Sequence, residues 1–274
     1  MRMNEELRKF KDRDLEEIVE LVHRTTRESY RSFYPKEAID YFIDYHSPQN
    51  IKEDAGNGTA IVLLMHDRII GTGTLLGTNI RRVFVLPEFQ GHGFGKKIMD
   101  YLETEAIRSD VAFLDLHSSL PAKRFYDSGN YKTLKFCSIP VDNNLTLDYY
   151  RMAKMLKPLS NPPAFNLNNR IFHVLQNDGP GAEVNGDTIF AFYQCQEMVM
   201  GEYKGGKIKE GDIIGYIEGE KFHFHYEQIN LNGEKNSGNS NDKIEVGDGG
   251  KIKLIDTWKW ETKEGEGHCI MQEK

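Results

Sequence analysis

The chain is 274 residues long, 39% hydrophobic and 28% charged, the composition of an ordinary globular protein and long enough for two domains. No apolar run approaches the ~18–20 residues that span a bilayer, the opening "MRMNEELRKFKDRDLEEI" has no apolar signal region, and the three cysteines (Cys137, Cys195, Cys269) form no C-x-x-C pair. A membrane span, export, a zinc knuckle and a disulfide framework are thereby argued against, and a reducing cytoplasm is the expected location.

In chain order, "DRDLEEIVELVHRTTRESY" places Leu15, Ile18, Val19 and Val22 at helical spacing, with Asp12 or Asp14 as a cap. "PKEAIDYFIDYH" predicts a second helix opening at Pro35. "TAIVLLMHDRIIGTGTLLG" reads as two strands around a tight turn at His66–Arg68, and "NIRRVFVLP" as a strand ended by Pro87. An amphipathic helix "KKIMDYLETEAI", a buried strand "VAFLDL", a short helix "LPAKRFYDSGNY" and the strands "YKTLKFC" and "LTLDYYRMAKML" complete the first 157 residues. The composition shifts at that point. Residues 1–157 carry 23 basic and 23 acidic side chains, whereas residues 158–274 carry 12 and 19 and sixteen of the 25 glycines. "KPLSNPPAFNLNN" has the make-up of a linker. The expected organisation is a domain at 1–157, a linker at 158–169 and a domain at 170–274. The acidic second half argues against nucleic acid as a partner, though its charge also fits plain solubility.

"QGHGFGKKIMDYLE" sets Gly91, Gly93 and Gly95 immediately before a helix. Free N–H groups at a helix start and the helix dipole attract anions, and Lys96 and Lys97 add positive charge. The stretch therefore reads as a pyrophosphate cradle, or else as a turn that only positions a helix. A Walker loop fails at Gln90 and Lys97, and a dinucleotide fingerprint fails at Lys96. "VFVLPEFQGHGFGKKIMDYLE" instead resembles the acetyl-coenzyme A signature of the GNAT acetyltransferases, Gln/Arg-x-x-Gly-x-Gly/Ala, here Gln90-x-x-Gly93-x-Gly95 after Val83–Val85 and Pro87. Downstream, "LHSSLPAKRFYDSGNYKTL" is similar to the same family's strand-then-helix element, with Phe125-Tyr126-Asp127 at its aromatic–Tyr–acidic run. Ser119 stands where many members have Asn, and Asn130 where Gly is usual. A hydroxyl can still donate, and Asn tolerates the left-handed helix stop.

The resemblance covers residues ~5–157. It implies an α+β GNAT fold, a mixed central sheet with flanking helices, in which strands 80–86 and 111–116 splay apart to admit pantetheine. It also implies acetyl-coenzyme A as cosubstrate, held by Val83, Phe84, Val85, Gln90, Gly91, His92, Gly93, Phe94, Gly95, Lys96 and Ser119. The activity implied is N-acetyl transfer by direct attack of a small-molecule or peptide amine on the thioester. Tyr126 would protonate the leaving thiolate, unless it merely packs. The general base stays open among Glu28, Asp115, His117 and water, and Tyr30, Phe33 and Tyr34 could wall the acceptor pocket or simply pack.

Beyond residue 158 the reading is nearly all strand. "RIFHVLQN", "TIFAFYQCQ", "MVMGEYKGG", "DIIGYIEGE", "KFHFHYEQINLNGE" and "KIKLIDTWKWE" recur at short spacing, and a last strand is placed near 267–272. This predicts an antiparallel meander closed as a small barrel. Phe222, Phe224 and Tyr226 alternate with His223, His225 and Glu227. The latter could be a metal set but equally form a solvated strand face, so no metal is expected. Trp258 and Trp260 share a face and either line a cavity or fill the core. This half is similar in strand spacing to short bacterial barrel proteins labelled N-acetylglutamate-synthase-like. Two alternative readings follow: such a synthase activity, or a non-catalytic acyl-coenzyme A sensor with the barrel as its binding module. The sequence leaves a homodimer open.

Overall fold

The computed structural model describes residues 5–274, the side chain of Asp248 excepted. The chain divides into two compact units, the first ending at Leu156 and the second starting at Lys157.

The first unit is a seven-stranded sheet in the order β1-β2-β3-β4-β5-β7-β6. Its strands are β1 (Glu5–Lys9), β2 (Thr59–Met65), β3 (Arg68–Leu76), β4 (Asn79–Val85), β5 (Phe113–Ser119), β6 (Lys132–Val141) and β7 (Leu145–Met155). Only β4 and β5 run parallel, so the sheet is mixed, as expected. The helices are α1 (Leu15–Tyr30), α2 (Lys36–Tyr45), α3 (Pro48–Asn57), α4 (Phe94–Arg108) and α5 (Lys123–Ser128). In α1 the buried Ile18, Leu21, Val22 and Thr25 repeat at helical spacing, and this stripe fixes the face laid on the sheet. Arg8 of β1 is paired at 2.6 Å with the buried Asp14 just before α1, tying the edge strand to the helix start. Helix α4 packs on β3 because Gly71 and Gly73 have no side chain: a Cβ at Gly73 would stand 2.6 Å from Ile98. The β2–β3 turn places His66 and Asp67 at φ 49° and 63°, the left-handed pair a two-residue hairpin requires.

The second unit is a closed eight-stranded antiparallel barrel of β8 (Arg170–Asp178), β9 (Ile189–Cys195), β10 (Met198–Gly205), β11 (Ile208–Glu218), β12 (Lys221–Asn230), β13 (Lys235–Val246), β14 (Ile252–Trp260) and β15 (Glu266–Glu273). Each strand pairs with the next, and β15 returns to β8, so no edge is left unpaired. Phe172, Phe192 and Phe222 are fully buried and fill one part of the interior. Alternation along β12 is as expected, with Phe222, Phe224 and Tyr226 inward. His225 on the other face lies 3.7 Å from Glu227 and 3.6 Å from Glu261, and no group of metal-binding character occurs among the described residues.

Three elements differ from the sequence reading. β1, α3 and β13 were not expected. β13 escapes a hydrophobic pattern because its inward positions are Gly238, Ser240, Asp242 and Ile244. Segment 158–169, expected to be a linker, is strapped to the barrel. Leu167 is fully buried there, its N–H donates to Gln194 Oε1 at 2.7 Å, and the N–H of Ala164 reaches Gly219 O at 2.8 Å.

Candidate active site

Strands β4 and β5 are in register only at Asn79–Asp115 and Ile80–Leu116. Past that point they part. The cause lies on the other side of β4, where two residues, Arg82 and Val83, face the single Gly73 of β3. Arg82 adopts φ 53°, rare for a side chain of this size, and its buried guanidinium is clamped by Asp54 of α3 and stands 5.9 Å from the Tyr45 ring. His46 beside it is buried too. Burial, then the Arg82 charge, push its pKa down to about 3, so the imidazole stays neutral.

The separation opens a groove of about 620 Å³. Val83, Phe84 and Val85 form one wall, and Phe125 and Tyr126 another. At one end lies the start of α4. Gly93 is its N-cap at φ 85°, Gly91 stands at φ 78°, and a Cβ at either position would meet nothing within 4 Å. No side chain caps the helix, so its first N–H groups have neither an intrahelical nor a capping partner. An anion can therefore reach those N–H groups from the glycine side.

The candidate residues are not all equivalent. Gly95 lines the groove, but its missing side chain serves packing, since a Cβ there would lie 3.2 Å from the Phe125 ring. Phe94 is 3% exposed and belongs to the core. His92 projects outward with Nδ1 2.9 Å from Gln90 O. Gln90 staples the loop: its side-chain amide donates to Val85 O at 2.9 Å and to Ser29 Oγ at 3.3 Å. Lys96 lines the groove and is paired with Asp100 at 2.6 Å. Ser119 is buried, and its hydroxyl donates to Tyr30 Oη at 3.1 Å, so it meets the groove through Tyr30.

Tyr126 is buried on the groove wall, and burial, then the neighbouring Tyr30, hold its phenol well above its ordinary value. It is therefore protonated at neutral pH. Of the aromatics expected to wall an acceptor pocket, Tyr30 lines the groove. Tyr34 instead bridges β7 to the turn after β5, donating to Asp148 O at 2.6 Å and accepting from Leu120 N at 2.8 Å, while Phe33 is 53% exposed. None of the three base candidates stands on the groove wall. Glu28 is paired with Arg24 at 2.8 Å on the surface, His117 is exposed, and Asp115 is fixed by Thr78 and Asn79 at 2.8 and 2.6 Å where β4 and β5 still pair.

Residues 30–146 match the family model described as the acetyltransferase (GNAT) domain. The first unit is a GNAT domain. Its fold is that of a GCN5-related N-acetyltransferase from Rhodopseudomonas palustris, with a TM-score of 0.52 at 18% identity over 57% of this chain and 98% of that one. Two uncharacterised acetyltransferases of Streptococcus pyogenes, from serotypes M3 and M1, are 31% and 30% identical over 90 residues, 30% of this chain. The match spans 63% of the length of each of these relatives. Residues 165–274 match a model described as an avidin-like protein.

Some features of the GNAT groove had no sequence signal. The Arg82–Asp54 clamp joins residues 28 positions apart. Also on the groove wall, Glu103 accepts from Lys154 at 2.7 Å and from Tyr131 at 3.1 Å, a cluster drawn from a helix, a strand and a loop.

Proposed function

We propose that the first unit is an acetyl-coenzyme A-dependent N-acetyltransferase whose acceptor is an amine of a small molecule or peptide. The observation that carries this reading is the continuity of one groove from the bare N-terminus of α4, past the parted β4 strand, to the buried phenol of Tyr126. The pyrophosphate would lie on the N–H groups after Gly93, and the pantetheine would pair with the backbone of Val83 and Val85 as an added strand. The amine nitrogen attacks the thioester carbonyl carbon, the C–S bond breaks, and the sulfur takes its proton from Tyr126. The ammonium proton leaves through water, which serves as base because the three side-chain candidates lie off the groove. Burial raises a thiol as it raises the phenol, and this keeps donor and acceptor matched in the dry site. A cytoplasmic setting fits cysteines that form no disulfide with one another among the described residues. No helix among the described residues is long and apolar enough to cross a membrane.

The test is thiol release from acetyl-coenzyme A with a panel of primary amines. Amine-dependent release above the rate of thioester hydrolysis is expected. Tight coenzyme A binding with no release for any amine would instead support a binding module.

A further inference from the structure

The barrel of the second unit is built in cross-strand layers. One inward row runs Ile217, Phe222, Asp242, Asp256, Cys269 and Asn177, each facing the next across adjacent strands from β11 to β8. Asp242 and Asp256 are thus direct neighbours, only 2% and 6% exposed. Two carboxyls placed opposite each other in a dry interior are destabilising. The barrel has no need of them for closure, because the row on one side is Ile244, Leu254, Met271 and Val174, all apolar.

On the other side of the acid row the interior is a cavity with a free volume of about 50 Å³. Asp256 is part of its lining, held by Ser240 Oγ at 2.6 Å. Aromatic rings make the walls: Phe224, Tyr226, Trp258 and Trp260 among them. The Tyr226 hydroxyl and the Trp260 Nε1 are buried with no hydrogen-bond partner among the described residues. Glu183 also lines the cavity, and there Lys263 donates to it at 2.7 Å with its ammonium 4.2 Å from the centre of the Trp260 ring. The chain's own ammonium group has found the combination of carboxylate and aromatic face that this interior offers. Deeper, around Asp256, the same combination recurs with no basic side chain in the row.

We propose that the barrel cavity binds a small primary ammonium ligand, its N–H groups on Asp256 and its carbon stem against Tyr226, Trp258 and Trp260. The positive charge offsets the negative charge buried in the acid row, and the aromatic faces attract the cation. The Tyr226 hydroxyl, free to turn, supplies a further acceptor for an N–H group. The free volume admits only a few non-hydrogen atoms, so the ligand is short or enters head first, and affinities in the millimolar range are expected for the head alone.

Trp258 and Trp260 are the only tryptophans of the sequence, so the full chain's tryptophan emission reports on this cavity. The probe is n-propylammonium chloride at constant ionic strength. Its uncharged counterparts are propionamide and n-propanol, and tetramethylammonium supplies charge without an N–H group. A saturable emission change with n-propylammonium, at least ten-fold weaker for all three comparators, is expected, and Asp256→Asn should weaken it at least ten-fold. Absence of a saturable response, a response to propionamide as strong as that to the ammonium, or a response surviving intact in Asp256→Asn would each overturn the proposal. Should Asp256→Asn fail to fold, tetramethylammonium decides with the native chain: a response equal to that of n-propylammonium overturns the N–H contact.

Discussion

The groove of the first unit and the cavity of the second are made of different material. The groove is backbone: a bulge in β4, strands that stop pairing after Ile80, and helix N–H groups bared by Gly91 and Gly93. The cavity is side chain: acids, tryptophans and tyrosines gathered from many strands of a regular ladder. Backbone sites tolerate sequence change wherever the shape survives, and they suit a large ligand that presents repeated polar groups. Side-chain sites depend on each residue and suit a small ligand read by charge. The two should fail differently when perturbed.

The largest effect expected is on chemistry in the groove. Tyr126→Phe should lower kcat by about 10²-fold or more while leaving coenzyme A affinity nearly unchanged, measured by steady-state kinetics and calorimetry. Native turnover at every pH would remove the role of acid from Tyr126. Next, Gly93→Glu should weaken coenzyme A binding by about 10–100-fold. It puts a carboxylate beside the helix N-terminus and a side chain at φ 85°. Unchanged affinity in calorimetry would show that the glycines serve only as a turn. Residues 1–157 expressed alone should fold and bind coenzyme A, and an unfolded fragment would mean that the two units depend on each other.

The pH dependence of stability should differ in sign between the units. In the barrel, burial, offset in part by hydrogen bonds from Asp242 and Ser240, raises Asp256 to about 6, and burial, then the neighbouring Asp256, raises Asp242 as well. Acids raised in the folded state stabilise it fully below their unfolded values near 4 and lose that contribution as pH climbs through about 6. In the first unit the hydrogen bond from Arg8 is the main cause holding Asp14 below its ordinary value, so that contribution is present at neutral pH and fades as pH falls. Both tryptophans lie in the barrel, and every α-helix among the described residues lies in the first unit. Thermal melts followed by tryptophan emission should therefore shift upward between pH 7 and pH 4.5, while those followed by helical circular dichroism should not. Asp242→Asn should flatten the emission trend, and an unaltered slope in that variant would acquit the acid row. The smallest effect is local. Gly95→Ala must push Phe125 aside by a few tenths of an ångström and should cost about 1 kcal/mol in chemical denaturation.

The same contrast explains what could be read in the sequence. The bared helix start was legible because its parts, Val83 to Lys96, are contiguous and glycine has a physical meaning there. The barrel was legible as alternation along β12 and β14. The acid row was not, because Asp242 and Asp256 meet only through a register that no single strand encodes. β13 was missed for a related reason, its inward face being small and polar where a core strand is expected to be apolar. α3 has a Ser47 cap and Pro48 in its first turn but only one buried apolar residue, Ile51, so its periodicity gave no signal. The clamp of Asp54 on Arg82 depends on α3 and was hidden with it.

Closure of the barrel through β15 and β8 also sets a timetable. During synthesis the first unit has all its strands and helices available before the barrel begins to emerge, and it can settle early. The ring, in contrast, stays open on the ribosome until its eighth strand, Glu266–Glu273, has left the exit tunnel, and until then β8 presents an unpaired edge to the crowded surroundings. A stop within that strand would cost the cell far more than the few side chains lost, because it would leave a sheet that cannot shut.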